Sequence, residues 1–127
     1  MRYMSMLRMS ERLLAENPPP PAFMQAMGRF VQEGMQSPQL VDTGGLVGSA
    51  QGVRVRAADG KLKVIDGPFT EAKELIGGYA ILEVGSKEEA IAAAEKLLQL
   101  HLDHWPGWEG ECEVRRMMGP GDDPCVS

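Results

Sequence analysis

The sequence predicts an α+β fold, built from two β-α-β units with a β-hairpin inserted between them. Three observations carry that expectation. Two stretches, 22–34 and 87–100, place apolar residues at helical spacing. Strand-like segments flank each of them. Between the two units, GVRVR (52–56) and KLKVI (61–65) alternate apolar and cationic residues around Ala-Ala-Asp-Gly, which is a hairpin pattern.

The elements follow in chain order. Residues 3–9, with Tyr3, Met4, Met6, Leu7 and Met9, suit a short buried strand. ENPPPP, ending at Pro21, interrupts regular structure. It reads as a stiff connector whose last proline opens a helix, in preference to a ligand for a proline-reading module. Over 22–34, Phe23, Met27, Phe30 and Val31 fall at i, i+4, i+7 and i+8, and Gly34 fits a C-terminal cap. Residues 40–47 carry a strand signal broken by Gly44 and Gly45, the mark of a bulge or a close backbone approach.

In the hairpin, Arg54, Arg56, Lys61 and Lys63 are expected to share one wet face, either as a phosphate site or as cations that discourage edge pairing. YAILEV (79–84) reads as a largely buried strand. Ser86-Lys-Glu-Glu89 is a capping box and opens a helix running to about Leu100, with Ala90, Ile91, Ala94, Leu97 and Leu98 on one side. Residues 111–118 alternate and form the last strand. The GPGDDPCVS tail lacks apolar content. This order points to a ferredoxin-like sheet with two helices on one face. A second copy of the chain is the simplest cover for the other face, so a homodimer is expected.

Bulk composition narrows the function classes. The chain has 127 residues, the size of one domain: 1–118 folded and 119–127 a loosely held tail. Thirteen basic against eighteen acidic side chains give a net charge of -5, which argues against a general nucleic-acid binder. No apolar run is long enough to span a bilayer, so no membrane partner is expected. Arg8 interrupts the apolar core that a signal peptide would need. With only Cys112 and Cys125, a cytoplasmic protein with reduced thiols is the expectation.

DGPFTEAKE (66–74) is the most specific stretch. Pro68 fixes its own φ and steers Gly67 away from helix, so the chain turns sharply after the hairpin. Phe69 is expected to plug the core beneath that turn. Thr70 is expected to cap a short helix over 71–76 that Gly77 and Gly78 end. Asp66 has two readings. It either stabilises the turn through downstream amides, or serves as a general base or ligand-orienting group at a cleft mouth, with Lys73 supplying positive charge. Lys73, Glu74 and Arg54 are the candidate ligand-binding residues, and a small anionic molecule is the candidate ligand.

This motif, followed by Gly77-Gly78-Tyr79 and preceded by RVR and DGK, resembles the signature of YCII-related proteins of the DGPF type. The opening RYM and the closing EVR (113–115) are similar to the same pattern, over residues 2 to 118. The resemblance implies a dimeric α+β barrel of ferredoxin-like subunits with no generally established reaction. It also implies a setting beside extracytoplasmic-function sigma factors. Relatives in the wider group carry a histidine–aspartate pair proposed as an active site. Here the first helix has no histidine, so such a pair would be assembled from Asp66 and His101 or His104.

HLDHWPGW (101–108) holds both histidines and both tryptophans. His101 and His104 lie three apart with Asp103 between them. That spacing could serve a transition metal, but without a third ligand it reads more commonly as cations at a helix C-terminus, and no metal is assigned. Trp105 and Trp108 are expected to seal the lower core or a dimer contact. No phosphate loop, dinucleotide fingerprint, G-x-S-x-G or C-x-x-C occurs, so no cofactor is expected. Two function classes remain: a small-molecule enzyme or binder working at Asp66, and a non-catalytic accessory or interaction module.

Overall fold

A computed structural model describes residues 1–69 and 74–122. Four strands form one antiparallel sheet: β1 (Arg2–Met9), β2 (Leu40–Gly45), β5 (Leu75–Glu83) and β6 (Glu111–Arg116), in the order β2-β5-β1-β6. Strand β5 lies between β1 and β2, and β1 lies between β5 and β6. Each β-α-β unit therefore straddles a strand of the other unit, as in a ferredoxin-like α+β fold. Strands β3 (Val53–Ala58) and β4 (Lys61–Asp66) form a separate two-stranded sheet, the inserted hairpin.

Burial along β1 alternates strictly. Tyr3, Ser5, Leu7 and Met9 point inward, while Met4, Met6 and Arg8 lie on the opposite face. Inward residues meet α2 (Pro21–Met35) and α3 (Lys87–His104) in two clusters. Leu7, Met9, Phe23, Trp105 and Trp108 make one, and Tyr3, Leu82, Val84 and Ala90 make the other. Cross-strand register places Met4 opposite Ile81 and Met6 opposite Tyr79, so these four half-buried residues share the outer sheet face. Arg8–Glu113 (3.1 Å) and Arg2–Glu83 (3.4 Å) bridge strands on that face as well.

The helix ends follow the sequence with small shifts. Ser86 caps α3 by accepting from the Glu89 amide (3.2 Å), and the Glu89 carboxylate returns to the Gly85 amide (2.9 Å), one residue before the cap. Helix α2 opens at Pro21, but Gly34 is not its cap. The helix continues to Met35 with Gln36 as C-cap, and Gly34 leaves room for the Leu40 side chain, 3.0 Å from where a β-carbon would stand. Helix α3 runs on through His104, past the expected end at Leu100.

One element was not anticipated, and two further expectations are corrected. Residues 11–16, which precede the prolines, form a helix of their own, α1 (Glu11–Glu16). Ser10 accepts from the Leu13 amide (3.2 Å), and Arg12 pairs with Glu16 (3.1 Å). Strand β5 begins at Leu75, so Leu75 and Ile76 belong to the sheet and Gly77 and Gly78 do not end a helix. Pairing of Ile76 with Arg8 and Leu75 with Met9 explains this. Thr70 and the rest of the expected helix, 71–73, lie outside the described residues. Finally, the apolar face of the hairpin is not covered. Val53, Val55, Leu62 and Val64 are 56–77% exposed. Register puts Val55 and Val64 on one face and Arg54, Arg56, Lys61 and Lys63 on the other. The hairpin turns at Asp59 (φ 53) and Gly60 (φ 72), a two-residue turn whose positive φ values suit Asp-Gly.

Candidate functional site

The DGPF turn is built from the backbone outward. Strand β4 ends at Asp66. The Gly67 amide donates to the Gly52 carbonyl (2.8 Å), and the Gly67–Pro68 peptide is cis. A β-carbon on Gly67 would fall on the Ser49 carbonyl oxygen, so this position accepts only glycine. Ser49 opens a short 3-10 turn (Ser49–Gln51) that is itself anchored. The Glu11 carboxylate accepts from the Ser49 amide (3.0 Å) and stands 2.7–2.8 Å from its hydroxyl. Helix α1, the 3-10 turn and the DGPF turn are thus fastened in series.

Phe69 is half-buried and belongs to neither core cluster, which corrects the expectation of a core plug. Its ring packs beside Gly52 and carries the Arg54 guanidinium 4.0 Å above its centroid. That stacking draws the base of β3 onto the turn.

Asp66 itself is exposed, and its carboxylate has no hydrogen bond or ion pair among the described residues. Glu74 is exposed at the entry to β5. Lys73 lies outside the described residues. Arg54 is half-buried against Phe69.

Among the described residues, no hydrogen bond or ion pair joins Asp66 to His101 or His104. His101 is 2% exposed, with Nδ1 2.8 Å from the Leu97 carbonyl. Its ring centroid lies 4.7 Å from Phe23 and 4.4 Å from Trp108. Burial lowers its pKa, and the bond to Leu97 opposes that shift only in part. His104 is exposed in the last turn of α3. Among the described residues, no group of three or more His, Cys, Asp or Glu side chains could hold a metal. No helix among them is long and apolar enough to cross a membrane.

Two concavities occur elsewhere. A broad groove follows α3 and β6, past Tyr3, Ile91, Leu98 and Val114. It exposes part of Cys112, a free thiol whose Sγ lies 2.7 Å from the Ser5 hydroxyl and whose pKa burial raises. A smaller cavity of about 70 Å³ lies between α1 and the tryptophan corner. Neither is lined by Asp66, Glu74, Arg54, His101 or His104. The sequence reading missed the smaller cavity because it did not include α1, which forms one wall. The Ser10 cap and the Arg12–Glu16 spacing were the available signals.

Comparison with known proteins adds the family. No curated protein matches the chain. A family model for the YCII-related domain matches residues 1–99, from β1 into the second half of α3. With most of the chain covered and the interleaved β-α-β sheet in place, the chain belongs to the YCII-related family.

Proposed function

We propose that this YCII-related domain binds a small anionic molecule, or acts on one, at a cleft beside Asp66, and does so as a homodimer. The carrying observation is the Asp66 carboxylate. It is exposed and without a hydrogen-bond partner among the described residues, while other groups fix the turn around it: the Gly67–Gly52 bond and the close fit of Gly67 to Ser49. An acid that does not hold its own turn is available to orient a ligand or take a proton. This reading takes Arg54, Lys73 and Glu74 from the sequence as its ligand-binding candidates, the two cations offering the charge that an anion needs. This reading assigns no role to His101, whose ring is enclosed by Phe23, Trp105 and Trp108. His104 is the histidine open to solvent.

Dimerisation is supported by Met4, Met6, Tyr79 and Ile81 on the outer sheet face. A second copy covering this face would remove that apolar surface from water. Light scattering at micromolar concentration should give twice the chain mass, and a monomer would remove the dimer from the account.

A non-catalytic accessory or regulatory module, in a sigma-factor setting or elsewhere, is the second reading. Its supporting observation is the exposed apolar face of the hairpin, a surface suited to a protein partner. A thermal-shift screen of metabolites on wild type and Asp66→Asn separates the two. The ligand reading expects a stabilising hit that disappears in the variant. A hit that survives would remove Asp66 from the site, and the absence of any hit would favour the interaction module.

A further inference from the structure

The outer part of the β3–β4 hairpin is open to solvent: every residue from Val55 to Val64 is exposed. Its two faces differ in chemistry. Register puts Val53, Val55, Leu62 and Val64 on one face, at 56–77% exposure, and Arg54, Arg56, Lys61 and Lys63 on the other. Arg54 stacks on Phe69 at the base. The side chains of Arg56, Lys61 and Lys63 have no hydrogen bond or ion pair among the described residues. Two acids bracket the apolar patch, Asp59 in the turn and Asp66 opposite Val53 at the base.

Charge is sorted along the chain as well. Residues 53–66 hold four basic and two acidic side chains, a net charge of +2. The other residues hold nine basic against sixteen acidic, a net charge of -7. An anionic surface therefore attracts the hairpin and repels the remainder. From Val55 to the turn the strands span about 15 Å, more than the Debye length of about 8 Å at physiological salt, so the hairpin can approach such a surface with the acidic remainder screened. A nucleic acid would use the cations and leave the apolar face in water. A protein covering the apolar face would leave the cations unused. A lipid surface with anionic headgroups meets both at once, because long basic side chains reach headgroups around an element whose apolar face enters the acyl boundary. We propose that the hairpin is a docking arm for an anionic lipid surface, with Val55, Leu62 and Val64 at the acyl boundary and Arg56, Lys61 and Lys63 among the headgroups. Asp59 and Asp66 keep the two ends of the patch on the water side. Strands of six residues are shorter than the roughly 9–11 that cross a bilayer, so the arm lies on the surface and needs no spanning segment. This contact is independent of ligand binding at the Asp66 turn.

Flotation of the full chain with lipid vesicles is the test. Binding to phosphatidylcholine mixed with phosphatidylglycerol should exceed binding to phosphatidylcholine alone about tenfold or more, and should fall as salt rises. Lys61→Gln and Lys63→Gln should each weaken it about fivefold, and Leu62→Ser about fivefold or more. These positions are exposed, so thermal midpoints should match wild type. In Leu62→Trp, emission should shift to the blue with the mixed vesicles and be quenched by brominated acyl chains, against the constant background of the buried Trp105 and Trp108. A purely electrostatic contact would produce neither change. Mixed-vesicle binding that Leu62→Ser leaves intact would overturn the proposal. Absence of vesicle binding would also overturn it and return this face to a protein partner, which would be a second copy if Leu62→Ser dissociates a dimer.

Discussion

The Glu11 carboxylate accepts the backbone amide of Ser49 at 3.0 Å and stands within 2.8 Å of its hydroxyl, across 38 positions of sequence. This contact ties α1 to the 3-10 turn on which Gly67 rests. The signature motif therefore reaches the first helix through one acid. Glu11→Ala would leave the Ser49 amide without its acceptor, at a cost of about 1–2 kcal/mol. Glu11→Gln keeps an acceptor oxygen and should cost less. Denaturant titration of the two variants checks the order.

Gly67 faces backbone, not a movable side chain. Gly67→Ala would drive a methyl group into the Ser49 carbonyl and should destabilise the fold by about 2 kcal/mol or more. Gly28 is the control, because nothing lies within 4 Å of a β-carbon there. In a mid-helix position, Gly28→Ala should be neutral or stabilising by up to about 1 kcal/mol. Equal thermal midpoints for the two variants would refute the close approach.

Phe69 is half-buried, so Phe69→Ala should cost about 1–2 kcal/mol rather than the roughly 3–5 kcal/mol of a core phenylalanine. Part of that loss should be shared with Arg54, stacked 4.0 Å above the ring. A double-mutant cycle with Arg54→Ala would measure the shared part as a non-additive term.

Burial lowers the pKa of His101 in the folded state. The unfolded chain therefore binds a proton more readily, near its ordinary value of about 6.5. Stability from the neutral, enclosed imidazole is fully present above that pH and is lost as the pH falls below it. Thermal midpoints should decline between pH 7 and pH 5. His101→Phe, an aromatic that does not titrate, should flatten that slope, and an unchanged slope would show that other groups carry it.

The interleaved sheet was legible because its signals are local. The capping box at Ser86, the alternation in the hairpin and the period of α2 each survive in the structure. The motif's mechanics were less legible. Nothing near Gly67 in sequence reveals that Ser49 lies against it, and the pairing of Leu75 with Met9 overrides the helical appearance of the residues before it. Helix α1 was hidden by its shortness and by the prolines after it. The aromatic corner was legible as a core seal, since Trp105 and Trp108 do join the lower cluster. That His101 is enclosed there depends on packing by Phe23 from another helix.

The central claim is that the Asp66 turn receives a ligand. Its most direct test is a backbone amide shift map of the wild-type protein, recorded with the hit from the metabolite screen. The account predicts saturable shifts centred on residues 49–54 and 66–69, absent in Asp66→Asn. Shifts confined to other parts of the chain, or identical in the variant, would contradict it.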